Sequence, residues 1–275
     1  MARSGTRHGR RAAAPTVRVR TSQGPAELVS DPRRPAERTL FIGGLASSAV
    51  DLADPERMPV DYLHRLAAAL DVLLPRGAGG EVVHLGGGAF ALPRLIASTR
   101  PAVRQEVYEL EPELVALARE HLRVRRGPGL AIRVGDAREQ LARRVAGGRA
   151  PADIVIGDAF TGTEVPAHLA TAAFAAEVAA ALGPRGIHLL NVVDAPPFAA
   201  GHAHAAALRS AFRHVLVFGA REVVRLRRAG NLLFAASAAP LPVAALARAL
   251  AGGPHPSEVS ATGPLSSPAH VRGAP

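Results

Sequence analysis

The chain has 275 residues, of which 48% are apolar and only 4% aromatic, so its core must rest on Ala, Leu and Val rather than on rings. That is enough apolar material for one full domain with a small appendage. There is no cysteine, which excludes disulfides and thiolate-held metal, and the net charge of +10 is carried by arginine alone.

A basic balance invites nucleic acid. The arginines, however, are scattered, apart from Arg7, Arg10 and Arg11 and a cluster from Arg221 to Arg228. No aromatic residues interleave with them as single-strand binding requires, and we expect no nucleic-acid partner. No apolar run reaches the roughly 18 residues that span a bilayer. Met1 to Arg20 is arginine-rich but has no apolar segment of the signal-peptide kind. The expectation is a cytoplasmic protein with no membrane partner.

Residues 1–15 read as a disordered basic tail. Residues 16–75 form a unit of their own. Strand-like runs at Thr16–Arg20, Ala26–Val29 and Arg38–Ile42 are broken by Pro and Gly, and Gly43-Gly44 turns the chain into Leu45–Leu52; this pattern predicts a small antiparallel sheet. Met58–Leu74 carries Val60, Leu63, Leu66, Leu70 and Leu73 at helical spacing.

Residues 76–252 alternate strand and helix. The predicted strands are Glu81–Leu85, Val103–Glu109, Leu130–Gly135, Asp153–Asp158, Gly186–Val193, His214–Gly219 and Asn231–Ala236. The predicted helices are Phe90–Ser98, Pro112–Leu122, Arg138–Ala146, Ala167–Ala181 and Ala199–Phe212. Such alternation implies an α/β fold, a Rossmann-like, doubly wound and mostly parallel seven-stranded sheet. Residues 253–275 turn rich in Pro, Gly and Ser and read as a second disordered tail.

Chemistry gathers at the ends of the first four strands. Gly86, Gly88 and Ala91 fit the G-x-G-x-x-G/A pattern between a strand and a helix, where glycines let the backbone approach a ligand. The same glycines could simply make a tight turn. The second strand ends in Glu109-Leu110-Glu111-Pro112. Glu109 stands where a carboxylate grips ribose hydroxyls, whereas Glu111 reads as a helix N-cap acid ahead of Pro112. The third strand ends in Gly135-Asp136-Ala137 and the fourth in Gly157-Asp158-Ala159. Asp136 alone could be a helix cap, but acids at three successive strand ends share the edge where open α/β sheets bind ligands.

Other candidates are plainer. His84 reads as a core residue, and His202 and His204, two apart on a helix, as surface residues unable to pair on a metal. Tyr62 and His64 could pack or roof a pocket. Arg221–Arg228 reads as a solvated strand edge.

The order GGG, E-x-E, GDA and DA at four strand ends resembles the S-adenosylmethionine-dependent methyltransferases, and most closely the spermidine synthases. The resemblance covers roughly residues 38–238, including the Gly44-Leu45 turn and Asp61-Tyr62. It implies that Gly86, Gly87 and Gly88 line a donor, either S-adenosylmethionine or its decarboxylated form. Glu109 would hold the ribose, and Asp136, with Ala137 beside it, the adenine amino group. Asp158 would take a proton from an attacking small-molecule amine. The resemblance further implies aminopropyl transfer, no metal, and a homodimer. Loop 159–166 follows Asp158 directly, and its Thr161 and Glu164, with Tyr62, are the candidate acceptor contacts.

The sequence departs from the family at three places. Ala89 stands where an Asp holds the donor's amine, Thr161 where a second acid faces the polyamine, and Leu45–Ser48 lacks the Gln of the first hairpin. Putrescine is therefore expected to be a poor acceptor. A methyltransferase acting on a small molecule and a non-catalytic nucleoside-binding homologue share the scaffold. An NAD-dependent oxidoreductase would share the glycines, but Asp136, Asp158 and the preceding β unit disfavour it.

Overall fold

The computed structural model describes residues 16–125, 127, 129–253, 256–261 and 265; the expected basic tail of residues 1–15 lies outside them. The first sheet is a four-stranded antiparallel meander of β1 (Thr16–Thr21), β2 (Gly24–Asp31), β3 (Arg34–Ile42) and β4 (Leu45–Asp51). Gly43 and Gly44 both adopt positive φ, which lets the two-residue turn join β3 to β4. Helix α1 (Asp61–Leu73) follows and buries Leu63, Leu66 and Leu70 on one stripe.

The second sheet is built on β5 (Gly80–Leu85), β6 (Val103–Glu109), β7 (Leu130–Val134), β8 (Ala152–Gly157) and β9 (Leu182–Asp194). These run parallel in the spatial order β7-β6-β5-β8-β9. The crossovers are α2 (Ala91–Thr99), α3 (Pro112–His121), α4 (Ala137–Ala146) and α5 (Ala172–Ala181). The central strands β5 and β8 are buried on both faces and are mostly apolar. Val82, Ile154 and Ile156 pack into one core cluster, while their neighbours Val83 and Val155 pack into the other. The order reverses at β5, and a crevice opens beyond the carboxyl ends of β5 and β8.

The sheet has eight strands, not seven. After α6 (Ala199–Ala211), β10 (His214–Ala220) and β11 (Gly230–Ser237) form an antiparallel pair beside β9, and β12 (Ser257–Ala261) pairs with β10. This corrects the reading of 253–275 as wholly disordered. The Ser-Glu-Val-Ser-Ala segment has weak strand character of its own and is held by edge pairing, and Leu265 beyond it is buried. Two helices also escaped the sequence reading: α7 (Arg221–Val224) and α8 (Val243–Ala251). The arginine cluster begins in α7, not on a strand edge, because β10 ends at Ala220. Among the described residues no helix is long and apolar enough to cross a membrane.

Candidate functional site

At the end of β5 the chain crosses the end of β8 so closely that a Cβ on Gly86 would lie 2.6 Å from the Asp158 carbonyl oxygen. Gly86 also has φ +98, so no other residue suits the position. The next two N–H groups point at the end of β6. Gly87 and Gly88 donate to Glu109 Oε2 at 2.8 and 3.3 Å, and the Glu111 N–H donates to Oε1 at 3.0 Å. Burial pushes the Glu109 carboxyl up, against the pull of those three backbone donors.

Glu111 holds the N-cap position of α3 but its side chain does not cap the helix. Its carboxylate instead accepts the Ser22 N–H at 2.9 Å and the Ser22 hydroxyl, tying the β1–β2 turn to the main sheet.

Asp136 does cap its helix. Its Oδ1 accepts the N–H groups of Arg138 and Glu139 at 2.9 and 3.1 Å, and its Oδ2 meets His168 Nε2 at 2.7 Å. Burial raises the Asp136 pKa, but the Glu139 N–H and the His168 ring outweigh it and hold the carboxyl below its ordinary value.

Asp158 is half-buried at the cleft and is held by a side-chain relay. The Tyr62 hydroxyl donates to Oδ2 at 3.0 Å, and Asn191 Nδ2 donates to Oδ1 at 2.8 Å. Asn231 Nδ2 in turn donates to Asn191 Oδ1 at 3.0 Å. Desolvation raises the Asp158 pKa to about 6 despite both hydrogen bonds. Burial and the neighbouring carboxylate hold the Tyr62 phenol well above its ordinary pKa, so it stays a proton donor.

These groups line one cleft of about 560 Å³. Glu109, Asp136 and Ala137 line it from the β6 and β7 side of β5, and Asp158, Asn191 and Asn231 from the β8, β9 and β11 side, with Gly86 and Gly88 at the end of β5 and Tyr62 and Thr161 also in the lining. Gly87 contributes through its N–H. Glu164 does not line the cleft; it is exposed and closes a small backbone loop with Thr161 through bonds of 2.8 and 3.2 Å. Ala89 does not line it either, being fully buried in the core behind the glycine turn. The cleft does contain a glutamine, which comes from the β1–β2 turn and not from Leu45–Ser48, where the family resemblance places one. Gln23 donates to the Phe160 carbonyl and accepts from the Gly162 N–H, both at 3.0 Å, and so pins the wall that follows Asp158.

Sequence reasoning missed Gln23, His168, Asn191 and Asn231. Asn191 left a signal, as an amide inside the apolar run Ile187–Val193, whereas Gln23 and His168 left none. His84 is a core residue as expected, its Nε2 3.0 Å from Gln105 Oε1. His204 is not a surface residue: it is buried on α6. Among the described residues no group of three His, Asp or Glu side chains is placed to hold a metal ion.

No family model matches the chain. A polyamine aminopropyltransferase of Vibrio vulnificus (strain CMCP6) is 27% identical over 140 residues, which cover 50% of this chain and 46% of that protein; the match thus spans less than half of the relative. A probable spermidine synthase from Corynebacterium glutamicum ATCC 13032 superposes with a TM-score of 0.79 at 27% identity, covering 93% of both chains. Human methyltransferase-like protein 13, solved in complex with SAH, gives a TM-score of 0.56 at 18% identity, covering 68% of this chain and 88% of that one.

Proposed function

We propose that this spermidine synthase-like chain is a transferase that binds S-adenosylmethionine or its decarboxylated form and passes an alkyl group, aminopropyl in the first reading, to a small-molecule amine. The relay around Asp158, on the other side of β5 from Glu109, carries the reading. The same reading makes the working unit a homodimer in the cytoplasm, with no metal in the reaction.

The Glu109 end suits a nucleoside. Of the roughly four acceptor sites on the Glu109 carboxylate, the backbone N–H groups occupy two on Oε2 and one on Oε1, which leaves a site on Oε1 for a ribose hydroxyl. Asp136 Oδ2 lies within the same end and accepts N–H donors, as its bond to His168 shows. With the adenosine so held, the sulfonium stands near Asp158.

The acceptor nitrogen then attacks the carbon bonded to the sulfonium. The N–C bond forms as the C–S bond breaks, and the electron pair stays on sulfur, which leaves as a neutral thioether. The nitrogen is left with one proton too many, and the Asp158 carboxylate takes it. With a pKa of about 6, Asp158 is ionised at neutral pH yet a stronger base than an exposed carboxylate. Tyr62 and Asn191 hold its two oxygens, so its orientation is set before the acceptor arrives.

Methyl transfer is the second reading, and the burial of Ala89 favours it: the residue aligned with the family's amine-holding acid presents no charge to the cleft. We propose on the same ground, together with Thr161, that the site departs from true spermidine synthases at its acidic positions. Calorimetry with S-adenosylmethionine, its decarboxylated form, methylthioadenosine and NAD separates the readings. Tight binding of methylthioadenosine with no binding of NAD is expected; the reverse would overturn the proposal. If methylthioadenosine and both donors fail to bind, the chain is not a transferase of this kind.

A further inference from the structure

We infer that the acceptor is an amine that also carries an anionic group, a carboxylate or a phosphate, rather than a polyamine. The inference rests on the transferase reading and concerns the Asp158 end of the cleft.

That end offers a cation little. Beyond Asp158 the polar side chains along β9 and β11 are amides, Asn191 and Asn231, with Val193 paired across from Asn231. Asp194, the next residue on β9, does not line the cleft; its Oδ1 and Oδ2 accept the N–H groups of Ala195 and Gly201, both at 2.7 Å. Among the described residues only Asp158 thus answers a positive charge there, and its own carboxylate is consumed by the proton it must accept. A second ammonium would enter a low-dielectric pocket without a partner.

The surface beside that end carries the opposite sign. The segment leading into β11 contains Arg221, Arg225, Arg227 and Arg228 against Glu222, all exposed. Arg225 and Arg221 reach Glu258 at 2.8 and 3.9 Å, and Arg227 reaches Glu222 only at 3.8 Å. Arg228 lies three residues before Asn231, so even a fully extended chain keeps their Cα atoms within about 11 Å. Gly230 pairs with Asp194 and Asn231 with Val193, which fixes this segment at the carboxyl edge of β9, where the cleft opens. None of these arginines lines the cleft itself; from its rim, long guanidinium side chains attract an anion and repel a polycation approaching the site, and they can pair with a carboxylate or phosphate that projects out of it. The chain's net charge of +10 acts in the same direction.

The test uses the full chain saturated with methylthioadenosine, titrated in a calorimeter with putrescine, 4-aminobutyrate and O-phosphoethanolamine. At least one of the two anionic amines is expected to bind about tenfold or more tighter than putrescine, and which of them does so identifies the anion as carboxylate or phosphate. Arg227→Glu with Arg228→Glu should abolish that preference and leave methylthioadenosine binding unchanged; Arg228→Ala should reduce it. Putrescine binding tighter than both anionic amines, no amine binding at all, or a preference that survives charge reversal would each overturn the inference while the nucleoside reading stands. Failure to bind methylthioadenosine would instead sink the transferase reading, and this inference with it.

Discussion

At the Glu109 end of the cleft the polar groups are arranged mainly by backbone, with one side chain, His168, on Asp136. Three main-chain N–H groups fix Glu109, and two more fix Asp136. At the Asp158 end the arrangement is made by side chains, a hydroxyl and two amides drawn from α1, β9 and β11. Backbone geometry changes only with the fold, whereas a side chain changes with one substitution. On the proposed reading the Glu109 end is thus committed to one ligand class, and the Asp158 end is where relatives of one fold can diverge in acceptor. Function has to be argued there, from the site and not from the fold.

The sharpest way to break this contrast is Asp158→Asn. It should lower the transfer rate by roughly 10²-fold or more while nucleoside affinity stays nearly intact, measured by single-turnover kinetics beside calorimetry. A comparable loss of nucleoside binding would show the two ends to be one unit. The same residue sets two pH dependences. The rate should fall about tenfold per unit below pH 6, because only the ionised carboxylate accepts a proton. Stability moves the other way: the folded-state pKa of about 6 lies above the ordinary 3.8, so stability falls as pH rises from about 4 to about 6. The total loss is about 3 kcal/mol and persists above pH 6. Asp158→Asn should flatten that profile in thermal melts.

Glu109→Ala should weaken methylthioadenosine binding by about 1–3 kcal/mol, since it strands buried N–H groups and a ribose hydroxyl together. Unchanged affinity in a calorimeter would remove Glu109 from the site. The smallest expected effect is that of Gln23→Ala, about 1 kcal/mol in thermal stability through two lost hydrogen bonds. Amide exchange should quicken at Gly162, whose N–H the Gln23 side chain accepts. No change in exchange there would mean that the wall is held by its own packing.

The legible part of the molecule is the part governed by short-range pattern. β6 runs over Val103–Glu109 as expected from the alternation of strand and helix segments, and the glycine turn, Glu109, Asp136 and Asp158 all reach one cleft because parallel strands present their ends along one edge. What was not legible depends on partners far away in the chain. β12 is a strand because β10 is beside it. Glu111 turns away from its own helix because Ser22 is within reach. Ala89 leaves the cleft because the chain turns inward at Phe90, where φ is 58. Asn191 and Asn231 sit on separate strands, and only their antiparallel pairing to one sheet brings the two amides together.

The clasp between the β1–β2 turn and the cleft wall has a consequence for biosynthesis. Ser22 meets Glu111 across 89 residues, and Gln23 meets Gly162 across 139. The amino-terminal sheet leaves the ribosome first, yet it cannot complete its share of the cleft until more than half of the chain has followed. Closing loops of that length is entropically unfavourable until the later strands are in place. A nascent or truncated chain therefore has no ligand pocket to fill, and a nucleoside bound to the finished protein reports the folding of both sheets at once.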